Sequence, residues 1–374
     1  MNGRFAPMSF QILSSLGDIE ADAPVSPLHS HFVALCRELT TAFPTEGTRP
    51  LRAYALLERW RDNPLAAVFD AEYPELVGAR SPVPDDFFKD REDDAPCIVP
   101  LPDVLWRATP DGTLAEVLAR DWFGDWFETA WHETRQRLTP QHFGAVVFSR
   151  ESAREVARHL ANLGYQTPPQ ASQARLFRYQ DPRVMQRVWP ALTPWQRKLW
   201  MGPVLQWWSL VQPWGAWNAR EQERGAQPEA TLPRWFKAAA PAPQTVEPDR
   251  HHPLRRLFDE KQWALAHTAP IGNRVWRRYA DADIDVAAQP EGRVMNALLN
   301  EGRALGLDGG NLEDFAWCSS QSKYFAADLQ SIPWSSPRWA PLLARMLSAL
   351  QIEPHATFGG VFHEFVQSFE KVTA

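Results

Sequence analysis

The densest group of side chains able to do chemistry is Arg178-Tyr-Gln-Asp181-Pro182-Arg183. Two guanidiniums beside one carboxylate suit the capture of an anion or of an acidic group on a partner, because each guanidinium presents a planar fork of donors. The same residues also suit a purely architectural task. Asp181 followed by Pro182 reads as a helix N-cap with proline at the first helical position, where an acceptor is needed in any case. In that reading Arg178 and Arg183 pair with Asp181 or with another carboxylate. A second candidate set is aromatic. Trp207, Trp208, Trp214 and Trp217 fall within Leu199 to Ala219, a stretch without charge. Tryptophan is enriched at interfaces, so these indoles either contact a partner or pack the boundary between two lobes.

Familiar catalytic spacings are missing. The sequence holds no phosphate-cradling glycine–lysine loop, no GxGxxG and no GxSxG nucleophile elbow. His132-Glu133 and His363-Glu364 begin like zinc-protease helices, but neither has a second histidine four residues after the first. His29 and His31 point apart on a helix, and His251-His252 has no identifiable co-ligands. The acidic run Asp85, Asp86, Asp90, Glu92, Asp93, Asp94 lacks the alternating spacing of a calcium loop and reads as a solvated loop. No catalytic residue, metal site or cofactor is expected.

These groups need elements to position them. Leu28 to Phe43 has the spacing of an amphipathic helix, and Leu51 to Leu57 suits a buried strand, as does Cys97-Ile-Val99. Helices are expected from Asp111 towards Arg120 and over Trp122 to Trp131. Gly144 to Phe148 reads as a strand. Ser152 and Glu155 then form a capping box for a helix ending near Gly164. Ala174 to Tyr179 reads as the next strand, Asp181-Pro182 opens a helix, and Thr193 with Gln196 caps another. This alternation indicates an α/β layer. Residues 221–249 are polar, then rich in alanine and proline, and read as a linker. Beyond it, helices are expected at Leu254 to Ala266, Ile271 to Tyr279, Arg293 to Leu305 with Val294, Ala297, Leu298 and Leu305 on its apolar face, from Ser336-Pro337 onwards, and at Phe362 to Val372.

The expected architecture is therefore an α/β (α+β) N-terminal lobe with a mixed sheet, followed by a mainly α-helical lobe. Its parts are an N-terminal segment 1–27, an α/β lobe 28–220, a linker 221–249 and a helical lobe 250–374. Composition agrees with a folded protein: of 374 residues, 44% are hydrophobic and 22% charged. Thirty-nine basic against 45 acidic residues give a net charge of −6, which argues against a dedicated nucleic-acid binder. The 33 prolines, about 9% of the chain against an average near 5%, announce many short elements. Three widely spaced cysteines suggest neither a disulfide framework nor a zinc finger, and a cytoplasmic location is expected. The opening residues lack a signal-peptide pattern. The charge-free stretch 199–219 has the length of a membrane span, but glycines, prolines and glutamines interrupt it, so no membrane insertion is expected.

Taken together, Phe148-Ser149, Leu160-Ala-Asn-Leu163, Leu176-Phe-Arg-Tyr-Gln-Asp-Pro-Arg-Val184, and Met201-Gly202-Pro203 followed by Trp207-Trp208 resemble the type VI secretion effector adaptor (chaperone) family. That family's hallmark is an arginine–aromatic–aspartate–proline–arginine turn after a strand, with a Gly-Pro about one helix later. Tyr54 to Leu57, Ala95 to Val99, Phe258 with Gln262, Arg303 to Leu307 and Leu312 to Phe315 extend the likeness. Gln180 and Glu58 differ from it, since an aromatic and an aspartate are common there. The resemblance implies a non-catalytic cytoplasmic protein that binds a secreted effector and loads it onto a spike protein of the VgrG class. It implies no cofactor, and it carries Arg178, Asp181, Pro182, Arg183, Gly202 and Pro203 over as motif residues of structural or partner-binding role. The helical lobe, with its amphipathic faces, is favoured for the effector. Two rivals stand beside this reading: a hydrolase with a spatially assembled active site, and an immunity protein that neutralises a toxin.

Overall fold

The computed structural model describes residues 27–42, 49–106, 123–131, 141–211, 235–241, 254–284, 289–320, 340–353 and 355–364. Trp214 and Trp217, the helix expected near 111–120 and the Ser336-Pro337 helix start lie outside the described residues.

Alternation along the strands decides the architecture. β1 (Arg52–Leu57), β2 (Ser81–Pro82), β3 (Cys97–Leu101), β4 (Phe143–Ser149), β7 (Val204–Leu210) and β8 (Trp235–Ala239) form one sheet in the order β2-β3-β1-β4-β7-β8. Side chains on a strand alternate between faces. Ala53, Ala55, Leu57, Val99, Val146, Phe148 and Trp208 point to one face, and Tyr54, Leu56, Ile98, Ala145, Val147 and Trp207 to the other. Both sets are buried, so each face needs a helical cover. Helices α1 (Pro27–Ala42), α2 (Pro64–Glu72), α4 (Asp103–Trp106) and α5 (123–131) close the first face. Helices α6 (Ala153–Leu163), α7 (Pro182–Val188) and α8 (Pro194–Met201) close the second. The result is three layers, helix–sheet–helix. Every pairing in the sheet is antiparallel, so the mixed character expected of it reduces to strand order rather than direction.

The C-terminal region is helical, as expected: α9 (Glu260–Asp281), α10 (Gly292–Ala304), α11 (Gly309–Ser320), α12 (Ala340–Ile352) and α13 (358–364). They gather a third core around Val275, Trp276, Met295, Leu299, Phe315, Met346 and Phe358.

Four details depart from expectation. The stretch read as a linker supplies β8, which pairs with β7 from Gln206↔Ala239 to Leu210↔Trp235 and sends Trp235 into the first core. The strand expected over Ala174 to Tyr179 shrinks to β6 (Arg175–Leu176), paired with β5 (Tyr165–Gln166). The two helices expected on either side of Pro270 are one helix, α9, with Pro270 exposed inside it. The buried face of α10 is Met295, Leu299 and Gly302, while Val294 is exposed.

Candidate functional site

The Arg178–Arg183 segment sits where the second helical layer meets one end of the sheet. Phe177 and Tyr179 are buried in the second core, Phe177 against Trp200 at 5.4 Å and Phe258 at 4.9 Å. Gly144 makes the approach possible, since a Cβ there would lie 2.7 Å from the Gln180 carbonyl oxygen. Arg178, between the two aromatics, turns the other way and is 42% exposed.

Asp181 is the N-cap of α7, and its Oδ1 accepts the Arg183 N–H at 2.9 Å. The Arg183 side chain also returns to Asp181, Nε to Oδ1 at 2.8 Å and Nη2 to Oδ2 at 2.7 Å. Both side chains are almost fully covered, 2% and 4% exposed. A bidentate pair of this kind survives burial because every acceptor site is used. Burial pushes the Asp181 carboxyl up, but the charge and hydrogen bonds of Arg183, assisted by Arg178, outweigh it and hold the group below its usual value. Asn273 of α9 adds a contact to Oδ2 at 3.4 Å.

Arg178 instead pairs with Glu58, just beyond β1. Burial raises the Glu58 carboxyl above its ordinary value, against the pull of Arg178. Its Oε2 is buried without a hydrogen-bond partner among the described residues, as are Arg59 Nε and His142 Nδ1. The Glu58 N–H donates to the His142 carbonyl at 3.1 Å, so these groups are neighbours. Burial, then the charge of Arg59, lowers the His142 imidazole. Shifted ionisable groups of this kind mark candidate sites. Sequence patterns did not single out Arg59, His142 or Asn273, which converge from three separate segments. In the sequence Glu58 stands out only as a departure from the adaptor family that the chain resembles.

Gly202 and Pro203 form a separate structural joint. Gly202 closes α8 at φ +52°, a conformation that favours glycine. A Cβ there would fall 2.2 Å from the His159 ring. That ring makes a 2.7 Å hydrogen bond through Nε2 to the Trp200 carbonyl. Ser149 Oγ donates to the Pro203 carbonyl at 2.7 Å, tying β4 to the start of β7.

Trp207 and Trp208 are corrected as partner contacts, because both are built into the interior. Trp208 packs on Phe148 at 4.5 Å in the first core, and Trp207 faces Tyr179 at 6.5 Å in the second. Neighbouring strand positions must face opposite ways, and here both faces are covered.

Of the motif, then, Asp181, Pro182 and Arg183 are interior scaffold, and the Arg178–Glu58 pair is the part that reaches solvent. Among the described residues, no three His, Cys, Asp or Glu side chains come together as metal ligands. No helix there is long and apolar enough to cross a membrane.

Residues 53–199, from β1 to the end of α8, match the model of a family described as a domain of unknown function (DUF4123). The match covers the motif turn and most of the sheet, less than half of the chain. Neither the curated proteins nor the solved structures yield a match.

Proposed function

We propose that this protein is a non-catalytic adaptor that binds a type VI secretion effector in the cytoplasm and loads it onto a VgrG-type spike. The observation carrying this reading is the coincidence of two signals. The matched family, linked in general to adaptors of type VI secretion effectors, covers the stretch in which the motif resemblance is densest. The helix–sheet–helix lobe then supplies a rigid body presenting Arg178 and Glu58, and the helical region supplies a second surface, assigned here to the effector. In this reading the buried Asp181–Arg183 pair fixes the turn from which Arg178 projects.

The test is co-expression of the tagged chain with the spike and toxin proteins encoded beside its gene. Recovery of both partners through this chain is expected. Recovery of neither overturns the reading. The rival hydrolase is favoured by the opposed shifts of Glu58 and His142 at one sheet end. Turnover of an ester or amide substrate by purified protein, lost in Glu58→Gln, would establish it instead.

A further inference from the structure

Two arginine–carboxylate pairs meet at the motif turn, and they differ in how well they are satisfied. Arg183 engages both oxygens of Asp181, Oδ1 through its N–H and Nε and Oδ2 through Nη2. Glu58 reaches Arg178 through one oxygen only. Arg178 Nη2 donates to Glu58 Oε1, and the guanidinium makes no second hydrogen bond among the described residues. Glu58 Oε2 is buried with no hydrogen-bond partner there. The arginine side chain is 42% exposed and the glutamate 13%. An exposed fork of donors is thus held at one point by a buried, half-satisfied carboxylate.

Charges act on that carboxylate from both sides of the turn. Arg178 leads, followed by Asp181 and Arg183 of the turn itself and Arg59 of the segment after β1. His142 closes the group just before β4, its carbonyl accepting the Glu58 N–H at 3.1 Å. Three guanidiniums therefore stand against two carboxylates, a local surplus of positive charge in a chain whose net charge is −6. Burial raises the Glu58 carboxyl above its ordinary value, so giving up its charge costs Glu58 less than it costs a surface glutamate.

What Arg178 already holds is a carboxylate. One arriving from solvent can take two parallel hydrogen bonds from the exposed fork, where Glu58 takes one. Glu58, once displaced, accepts a proton from solvent rather than carry a buried charge without its arginine.

We propose, resting on the adaptor reading, that Arg178 is the docking point for an acidic side chain of the spike protein, an aspartate or glutamate that displaces Glu58 from the guanidinium. Arg59 and Arg183 add to the field that draws it in. Each contact made takes up one proton, so docking strengthens as pH falls.

The tagged full chain, co-expressed with the spike and toxin proteins encoded beside its gene, tests this by quantitative capture between about pH 7.5 and about pH 5.5. The wild type is expected to capture more spike at the lower pH. Arg178→Gln is expected to lose spike about tenfold, the loss of one charge-assisted hydrogen-bonded contact, and to keep the toxin protein. Unchanged thermal melting verifies its fold. Glu58→Gln keeps the shape and removes the competing charge. It is expected to capture a few-fold more spike at the higher pH and to lose the pH response. His142→Gln removes the other titrating group and keeps that response. A purely architectural pair gives the opposite sign, because Glu58→Gln then loosens the turn and lowers capture. Equal spike capture by the wild type and Arg178→Gln overturns the carboxylate exchange and leaves the adaptor reading standing. So does a Glu58→Gln chain that captures no more spike than the wild type. A wild-type chain that recovers neither protein overturns both.

Discussion

Asp181 and Glu58 are both carboxylates beside an arginine, and their surroundings push them in opposite directions. Asp181 has its lone pairs filled by Arg183 and the α7 N-terminus, so ionisation is the stable state. Removing it strands a buried guanidinium. Asp181→Ala is expected to cost about 3–5 kcal/mol, the range for breaking a buried pair. Asp181→Asn, which keeps an acceptor for the Arg183 N–H, should cost less. Urea denaturation at neutral pH measures both, and equal, small losses would contradict the interior role. His159 behaves as a neutral group. Burial lowers its pKa, against the opposing hydrogen bond to the Trp200 carbonyl. The folded state then binds this proton less readily than the unfolded chain. The stabilisation is complete above the ordinary value of 6.5 and is lost as pH falls below it towards the folded pKa. His159→Gln, which keeps a donor for Trp200 and cannot ionise, should flatten that part of the stability–pH curve. A wild-type curve that does not fall between pH 7 and pH 5 would count against the buried neutral ring.

Elements show the same competition between local preference and packing. Gly302 lies on the buried face of α10, where a Cβ would come 2.5 Å from Leu312 and 2.9 Å from Phe315 of α11. Gly78, in α3 (Pro74–Ala79), has nothing within 4 Å of that position. Helix propensity favours alanine over glycine by about 1 kcal/mol at either site. At Gly302 the overlap outweighs this, so Gly302→Ala should destabilise by about 1–3 kcal/mol. Gly78→Ala should stabilise by about 0.5–1 kcal/mol. Thermal unfolding of the two variants separates these signs, and a stabilised Gly302→Ala would show that α10 and α11 are not so closely packed. What the sequence conveyed follows the same division. Caps are local chemistry, and Ser152–Glu155, Asp181–Pro182 and Thr193–Gln196 form where their residues predict. Buried faces are decided by neighbours. In α10 the apolar Val294 is exposed while Gly302 is buried, because α11 needs a small residue at closest approach. The spacing divides Leu254 to Ala266 from Ile271 to Tyr279, but Pro270 between them lies on the exposed side of α9 and the helix runs through it. The Arg178–Glu58 pair was half-visible. The need of Arg178 for a carboxylate could be read, but its choice of one 120 residues away depends on the sheet order.

For the whole molecule, the decisive element is α9, because two cores share it. Its first half places Ala266 and Ala269 in the second core of the sheet lobe, and its second half places Val275, Trp276 and Tyr279 in the third. The seam is also polar. Gln262 Nε2 donates to Gln196 Oε1 at 2.9 Å and to the Ala191 carbonyl at 2.8 Å, and Arg187 donates to Thr268 Oγ1 at 2.8 Å. Arg187 is fully buried, and burial together with the charge of Arg303 pulls its pKa down to about 9. A boundary near residue 250 therefore cuts a chain whose cover continues beyond it. A protein ending at residue 249 loses Leu257, Phe258, Ala266 and Ala269 from the second core and exposes the seam. Burying one large apolar side chain is worth about 1.5–3 kcal/mol, and whole domains are stable by only about 5–15 kcal/mol. The truncated chain is expected to lose cooperative folding, and the full chain to unfold in a single calorimetric transition. Two separated transitions, with a truncated chain keeping native near-UV circular dichroism, would instead make the helical region an independent unit. In that case the helical part could be exchanged without disturbing the sheet lobe. A shared α9 requires that any change of partner surface in the helical region preserve the face that seals the sheet.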